Sequence, residues 1–177
     1  MAAIDHQPLV SLRRFDLSDL DDFWVWASDE RVAAACTWKA YTNKDDLRRH
    51  IEEIVLPHPW YRAIIVNGRP VGAISVKVPE TANYQCHGEI GYMLATERWG
   101  KGVATSALRM ATETALAEIE GLERVEAIVL EENKASQRVL EKVGFKREGV
   151  LRRYLLFKGV VKDVLIYSFI KGDAFLI

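Results

Sequence analysis

The residues best suited to chemistry lie between positions 89 and 138. Trp99-Gly100-Lys101-Gly102-Val103-Ala104-Thr105 joins a short run, Glu89-Ile90-Gly91-Tyr92-Met93-Leu94, to a stretch with Ala104, Ala107, Leu108, Ala111, Ala115 and Ile119 at helical spacing. The first run is rich in β-formers and reads as a buried strand. Glycines let backbone N–H groups come close to a ligand, and a helix N-terminus adds partial positive charge. Strand, glycine loop and helix together therefore make a site for phosphate oxygens. An ordinary strand–helix turn has the same order, as do several nucleotide folds. The P-loop spacing G-x-x-x-x-G-K-[S/T] is absent. The dinucleotide fingerprint G-x-G-x-x-G/A fails at Thr105, and the loop falls past mid-chain, whereas that fingerprint usually opens a βαβ unit.

A second motif, Asn133-Lys134-Ala135-Ser136-Gln137-Arg138-Val139-Leu140-Glu141-Lys142-Val143-Gly144-Phe145, follows a strand-like Val125-Glu126-Ala127-Ile128-Val129-Leu130. With both motifs in this order, the chain resembles the GNAT superfamily of acetyl-CoA-dependent N-acetyltransferases from about Val10 to Phe169. It looks closest to the RimJ/RimL-like branch, in whose plant members W-G-K-G-x-A-T and N-x-x-S-x-R-V-L-E-K-V-G-F recur together. The resemblance implies an α/β acyl-CoA N-acyltransferase fold: a central mixed, mostly antiparallel twisted sheet with helices on both faces. It also implies one acetyl-CoA per domain, CoA as product and a primary amine as acceptor.

Acetyl transfer to an amine makes four demands, and the resemblance distributes them over this sequence. The pyrophosphate would meet backbone N–H groups of Trp99, Gly100, Lys101, Gly102, Val103, Ala104 and Thr105, with the Lys101 ammonium either contributing or merely solvated. Trp99 stands where GNAT proteins usually carry Gln or Arg. Arg98, Lys134, Arg138 and Lys142 are candidates for the ribose phosphate, although exposed helix charges are commonly solvated. The carbonyl would be polarised by the N–H of Leu94 or its neighbour. A bulge in that strand would open a slot for the pantetheine arm beside Met93 and Leu94, which can equally be plain core.

For the base, Glu89 is the best carboxylate, because a glutamate in an apolar strand is costly unless a pocket or a partner receives it. The alternative places it near a strand end, in water or paired. His87 shares its face and is a further base or relay. For the leaving thiolate, many GNAT enzymes use a tyrosine where this chain has Leu140. Ser136 can replace it, or can serve only local helix bonding. Asn133 reads as a helix cap, a pantetheine contact or both, and Tyr154 and Tyr167 are outside candidates for the acid.

The elements that must position these groups follow from periodicity. Val10–Phe15 alternates as a first strand, Asp16–Ser18 caps a helix with Leu20, Phe23, Trp24 and Ala27 on one stripe, and a second helix runs from Asn43 to Pro57. Trp26, Trp38 and Tyr41 surround the connection and, with Trp24, wall the acceptor side, although core packing explains at least two of these aromatics just as well. Tyr61–Val66 and Val71–Val78 form a hairpin around Asn67-Gly68. Val150–Phe157 and Val161–Phe169 form another around Lys158-Gly159.

The 177 residues fit one domain with its core at about 10–170, with 49% hydrophobic and 28% charged residues. A net charge of −1 gives no reason to expect nucleic acid as a partner. Cys36 and Cys86 make neither a metal pattern nor a disulfide framework. No long apolar run calls for a membrane, so a cytoplasmic setting is expected, with the nucleus possible as well. The acceptor is a peptide N-terminus, a lysine or a small amine, and the protein a monomer or homodimer. An α-amine, with pKa near ~8, is easier to deprotonate than a lysine near ~10.4. Two other functions stay open: a non-catalytic acyl-CoA-sensing module acting through a protein partner, and a dinucleotide-dependent enzyme.

Overall fold

The computed structural model describes residues 9–176. Seven strands form one sheet in the order β1-β2-β3-β4-β5-β7-β6. They are β1 (Val10–Arg13), β2 (Tyr61–Val66), β3 (Arg69–Lys77), β4 (His87–Leu94), β5 (Arg124–Leu130), β6 (Lys146–Phe157) and β7 (Val160–Ile170). Every pairing is antiparallel except β4 with β5. The helices are α1 (Leu20–Ala27), α2 (Glu30–Ala34), α3 (Lys44–His50), α4 (Val103–Glu118) and α5 (Lys134–Val143), and α3 runs on through a wider helical turn at Ile51–Val55.

Side-chain alternation along the strands divides the core in two. Ile64, Ile74, Ile90 and Leu94 pack with Leu108 and Ala111 of α4 and with Leu140 and Val143 of α5. Ala63, Ile65 and Ala73 pack on the opposite face with Phe23, Trp26, Val32, Leu47 and Ile51 from α1 to α3. This is the expected mixed α/β architecture with helices on both faces.

Local chemistry sets the ends as the sequence reading requires. Asp16 accepts the Ser18 N–H at 2.9 Å and donates its own N–H to Asp19 at 3.0 Å, closing a capping box before α1. Asn43 accepts the Asp45 N–H at 2.8 Å at the start of α3. Asn67 and Gly68, at φ 53° and 78°, make the tight β2–β3 turn.

Four expectations change. The stretch before Cys36 contains α2, whose five residues are too few to show periodicity. Trp26 is wholly buried, whereas Trp24 is only partly so, which removes Trp26 from any acceptor wall. Phe15 leaves β1 to pack on Phe23, ring centroids 5.2 Å apart. β6 begins at Lys146, four residues earlier than its apolar run, because Lys146 and Arg147 pair with β7 whatever their polarity.

Candidate active site

The site begins where β4 and β5 part. Their parallel pairing covers only His87↔Arg124, Gly88↔Val125 and Glu89↔Glu126, although β4 runs on to Leu94. A gap therefore opens beside residues 90–94. The expected bulge in β4 is not the cause. Its register with β3 is continuous from Lys77↔Glu89 to Gly72↔Leu94, so the divergence arises on the β5 side.

Backbone direction then selects the free donors. Ala95 donates its N–H to the Val71 carbonyl at 2.8 Å. Residues of an antiparallel strand alternate in direction, so Leu94 and Tyr92 turn their backbone groups toward the gap. The Leu94 carbonyl accepts the Trp99 indole N–H at 3.1 Å, while its N–H faces the opening. Trp99 thus ties the glycine loop to the strand end, a use of this position that sequence did not reveal.

Gly100 and Gly102 take φ of 71° and 75°, the left-handed region that glycine enters freely, and a methyl group on either would meet nothing within 4 Å. They turn the chain into α4, which has no side-chain cap. The first bond of that end runs from the Ser106 N–H to the Gly102 carbonyl at 3.0 Å, leaving the N–H groups of Val103, Ala104 and Thr105 outside the helical ladder. Across the gap, Asn133 caps α5 by accepting the Ser136 N–H at 3.1 Å. That bond fixes Ser136 at the first turn, where it lines the cavity.

The gap widens into a cavity of about 500 Å³. It brings together Met93, Leu94, Trp99, Gly100, Gly102, Ala104, Thr105, Asn133, Ser136 and Arg138 from the sequence-predicted set, with Arg98 and Lys142 beside them. Lys101, Val103, Lys134 and Glu89 do not line it; Val103 is buried beneath the loop. Its charged lining is Arg98, Arg138 and Lys142, without a carboxylate, which suits phosphate oxygens. The cavity also takes in Tyr92 and, from α2 and the turn after it, Val32, Ala35 and Cys36. Burial pushes the Cys36 thiol up to about 11, so it stays protonated near neutrality. The tip of the β6–β7 hairpin meets the C-terminal end of α2, with Lys158 Nζ donating to the Ala33 carbonyl at 2.8 Å.

Glu89 stands at the vertex of the gap, on the α1–α3 face. Its in-register neighbour Glu126 was not singled out from sequence, although strand alternation puts both carboxylates on one face. Arg124 holds Glu126 through Nε at 3.0 Å and grips Glu148 with both terminal nitrogens at 2.7 Å. Among the described residues Glu89 has no ion-pair partner. Glu89 is exposed to solvent, as the alternative reading allows, yet desolvation by its surroundings raises its pKa above the usual carboxylate value, Glu126 adds to the rise and Lys77 opposes it. His87 Nδ1 lies 3.4 Å from Glu126. At the strand rise of 3.3 Å per residue, the five steps from Glu89 to Leu94 span about 17 Å. Glu89 can therefore reach the Leu94 end only through water.

The two outside tyrosines lie elsewhere. Tyr167 is buried and donates its hydroxyl to Glu141 at 3.0 Å, and Tyr154 is exposed on β6. Leu140 is fully buried in the core.

Comparison with known proteins places these features. A family model described as Acetyltransferase (GNAT) domain matches residues 10–146. The uncharacterized N-acetyltransferase p20 of Bacillus licheniformis is 29% identical, covering 93% of this chain and 94% of its own. The uncharacterized N-acetyltransferase YoaA of Bacillus subtilis is 39% identical over 83 residues, which span 47% of this chain and only 46% of that relative's length. Among solved structures, a GNAT-family acetyltransferase from Bacillus anthracis superposes with a TM-score of 0.81 at 22% identity, covering 93% of this chain and 96% of that one. Mycobacterium smegmatis RimJ, solved with CoA-disulfide, gives 0.71 at 27% identity, with 94% and 84% covered.

Proposed function

This chain belongs to the GNAT acetyltransferase domain family, and on that premise we propose that it moves an acetyl group from acetyl-CoA to a primary amine. The observation that carries the reading is the gap between β4 and β5, with the uncommitted Leu94 N–H on its wall and the glycine loop at its mouth. Orphan donors at the start of α4, open space before Gly100 and Gly102, and an all-cationic charged lining fit the phosphates of CoA. When bound, the thioester supplies the acyl group and a thiolate as leaving group.

The chain's own groups then divide the work. The N–H groups from Trp99 to Thr105, with Arg98, Arg138 and Lys142, hold the phosphates. The Leu94 N–H faces the carbonyl oxygen as that oxygen gains charge. Ser136 meets the sulfur, and Asn133 fixes the turn that presents Ser136. Glu89 takes the amine proton through water, its raised pKa bringing it nearer the working range of a general base. A water-linked carboxylate suits an α-amine, about a tenth of which is neutral at pH 7, better than a lysine. We therefore read a peptide N-terminus as the first acceptor to try and the RimJ/RimL-like branch as the family setting. The plant-type likeness rests on the two motifs alone.

CoA release with a panel of N-terminal peptides, lysine peptides and polyamines tests the reading. Turnover favouring α-amines is expected. The absence of a carboxylate from the cavity lining favours one rival, an acyl-CoA-sensing module. Tight acetyl-CoA binding with no CoA release from any amine would establish that rival and overturn the transferase.

A further inference from the structure

Tyr92 lines the cavity, and its buried hydroxyl is a polar group that the transferase scheme leaves unused. Tyr92 sits on β4 two residues before Leu94, its ring packed on the α4 side of the sheet. Its oxygen is shut off from solvent and has no hydrogen-bond partner, and Ser136, which lines the same cavity, is near enough to influence its ionisation. A buried hydroxyl without a partner is unfavourable, and phenylalanine would pack the same space without that cost. Because solvent does not reach the oxygen, a ligand in the cavity cannot touch it directly. Ser136 can, and Ser136 lines the cavity.

Resting on the transferase reading, we propose that Tyr92 is a positioning residue for Ser136. The Tyr92 O–H donates to Ser136 Oγ, which commits the Ser136 O–H to donate to the departing sulfur. No proton changes owner along this chain. The C–S bond breaks with its electron pair on sulfur, two hydroxyls in series stabilise that thiolate, and water protonates it after release. Burial pushes the Tyr92 phenol up to about 12. A thiol titrates near ~8.5, so the phenol remains a donor throughout the range in which the thiolate forms. The other titratable groups around the cavity are Arg98, Arg138, Lys142 and Cys36, and the three cations are common to every variant below.

The test is the thiol pKa of bound CoA, read from thiolate ultraviolet absorbance against a desulfo-CoA complex. Ser136→Ala should raise that pKa by roughly 1 to 2 units, the value of a hydrogen bond to a charged group, and Tyr92→Phe by about 0.5 to 1 unit, that of a neutral one. The double variant should match Ser136→Ala alone, because Tyr92 acts only through the serine. Desulfo-CoA affinity should be unchanged in all three, and Tyr154→Phe, on the exposed hairpin, should leave the thiol pKa where it is. An unchanged pKa in Tyr92→Phe, or an equal shift on the Ser136→Ala background, overturns the proposal while leaving the transferase intact. Failure of the unaltered protein to bind either CoA or desulfo-CoA overturns the transferase reading, and this one with it.

Discussion

Replacing Gly102 with alanine separates what the glycine loop does for folding from what it does for a ligand. Gly100, Gly102 and Gly121 share nearly the same backbone, at φ 71°, 75° and 74°, and a methyl group on any of them meets nothing within 4 Å. A left-handed non-glycine residue costs roughly 1–2 kcal/mol. Restricting the unfolded chain returns about 0.4–1 kcal/mol of that. The net loss is about 1 kcal/mol at each site, which lowers Tm by roughly 2–4 °C in a chain of this length. Calorimetric scanning should therefore find the three variants alike. Titration with CoA should not. A methyl group at Gly100 or Gly102 stands in the space that the phosphates need and displaces charge-assisted N–H contacts worth about 1.5–3 kcal/mol, or roughly 10- to 150-fold in Kd. Gly121→Ala, in the turn after α4, should bind CoA like the unaltered protein. Equal Tm losses with all three CoA affinities within threefold of one another would refute the placement of the phosphates at this loop.

Three further outcomes follow from the same structure. Glu89→Gln should lower kcat/KM by about 10²-fold, near the lower bound for general-base catalysis because the group acts through water. It should also abolish an acid limb that lies above the ordinary carboxylate range; a pH–rate profile that keeps the limb removes Glu89 from the mechanism. Gly72→Ala would put a methyl group 2.3 Å from the Met93 carbonyl and 2.6 Å from the Leu94 side chain. It should cost about 1–3 kcal/mol in thermal unfolding and weaken CoA binding by displacing β4. Arg124 and Ser168 hold the Glu148 carboxyl at a pKa of about 2, so its contribution is complete above the unfolded value near ~4.3 and fades as pH falls toward the folded one. Its side chain is 42% exposed, so after allowance for solvent screening Glu148→Gln should cost about 1 kcal/mol at pH 7. The difference from the unaltered protein should vanish near pH 2.

Sequence by itself determined the parts of this protein that depend on local chemistry. Periods of two and of 3.6 residues set the strands and the long helices, Asp16, Asn43 and Asn133 set helix starts, and Asn67-Gly68 set a turn. Gly100 and Gly102 announced a loop able to offer its backbone, and two motifs together pointed to the family. Other features depend on the company an element keeps, and no neighbouring residues encode them. α2 is too short to show a period, yet it places Val32 in the core and Cys36 in the cavity wall. β4 parts from β5 through the path of a strand more than thirty residues away, and that parting alone turns the Leu94 N–H from a ladder donor into a free one. The pairing of Glu89 with Glu126 needs the one parallel register in the sheet. Sequence placed Tyr92 in a strand and gave its hydroxyl no role. Only the approach of α5 brings Ser136 to the cavity wall that Tyr92 shares, because contact between distant elements is a property of tertiary packing.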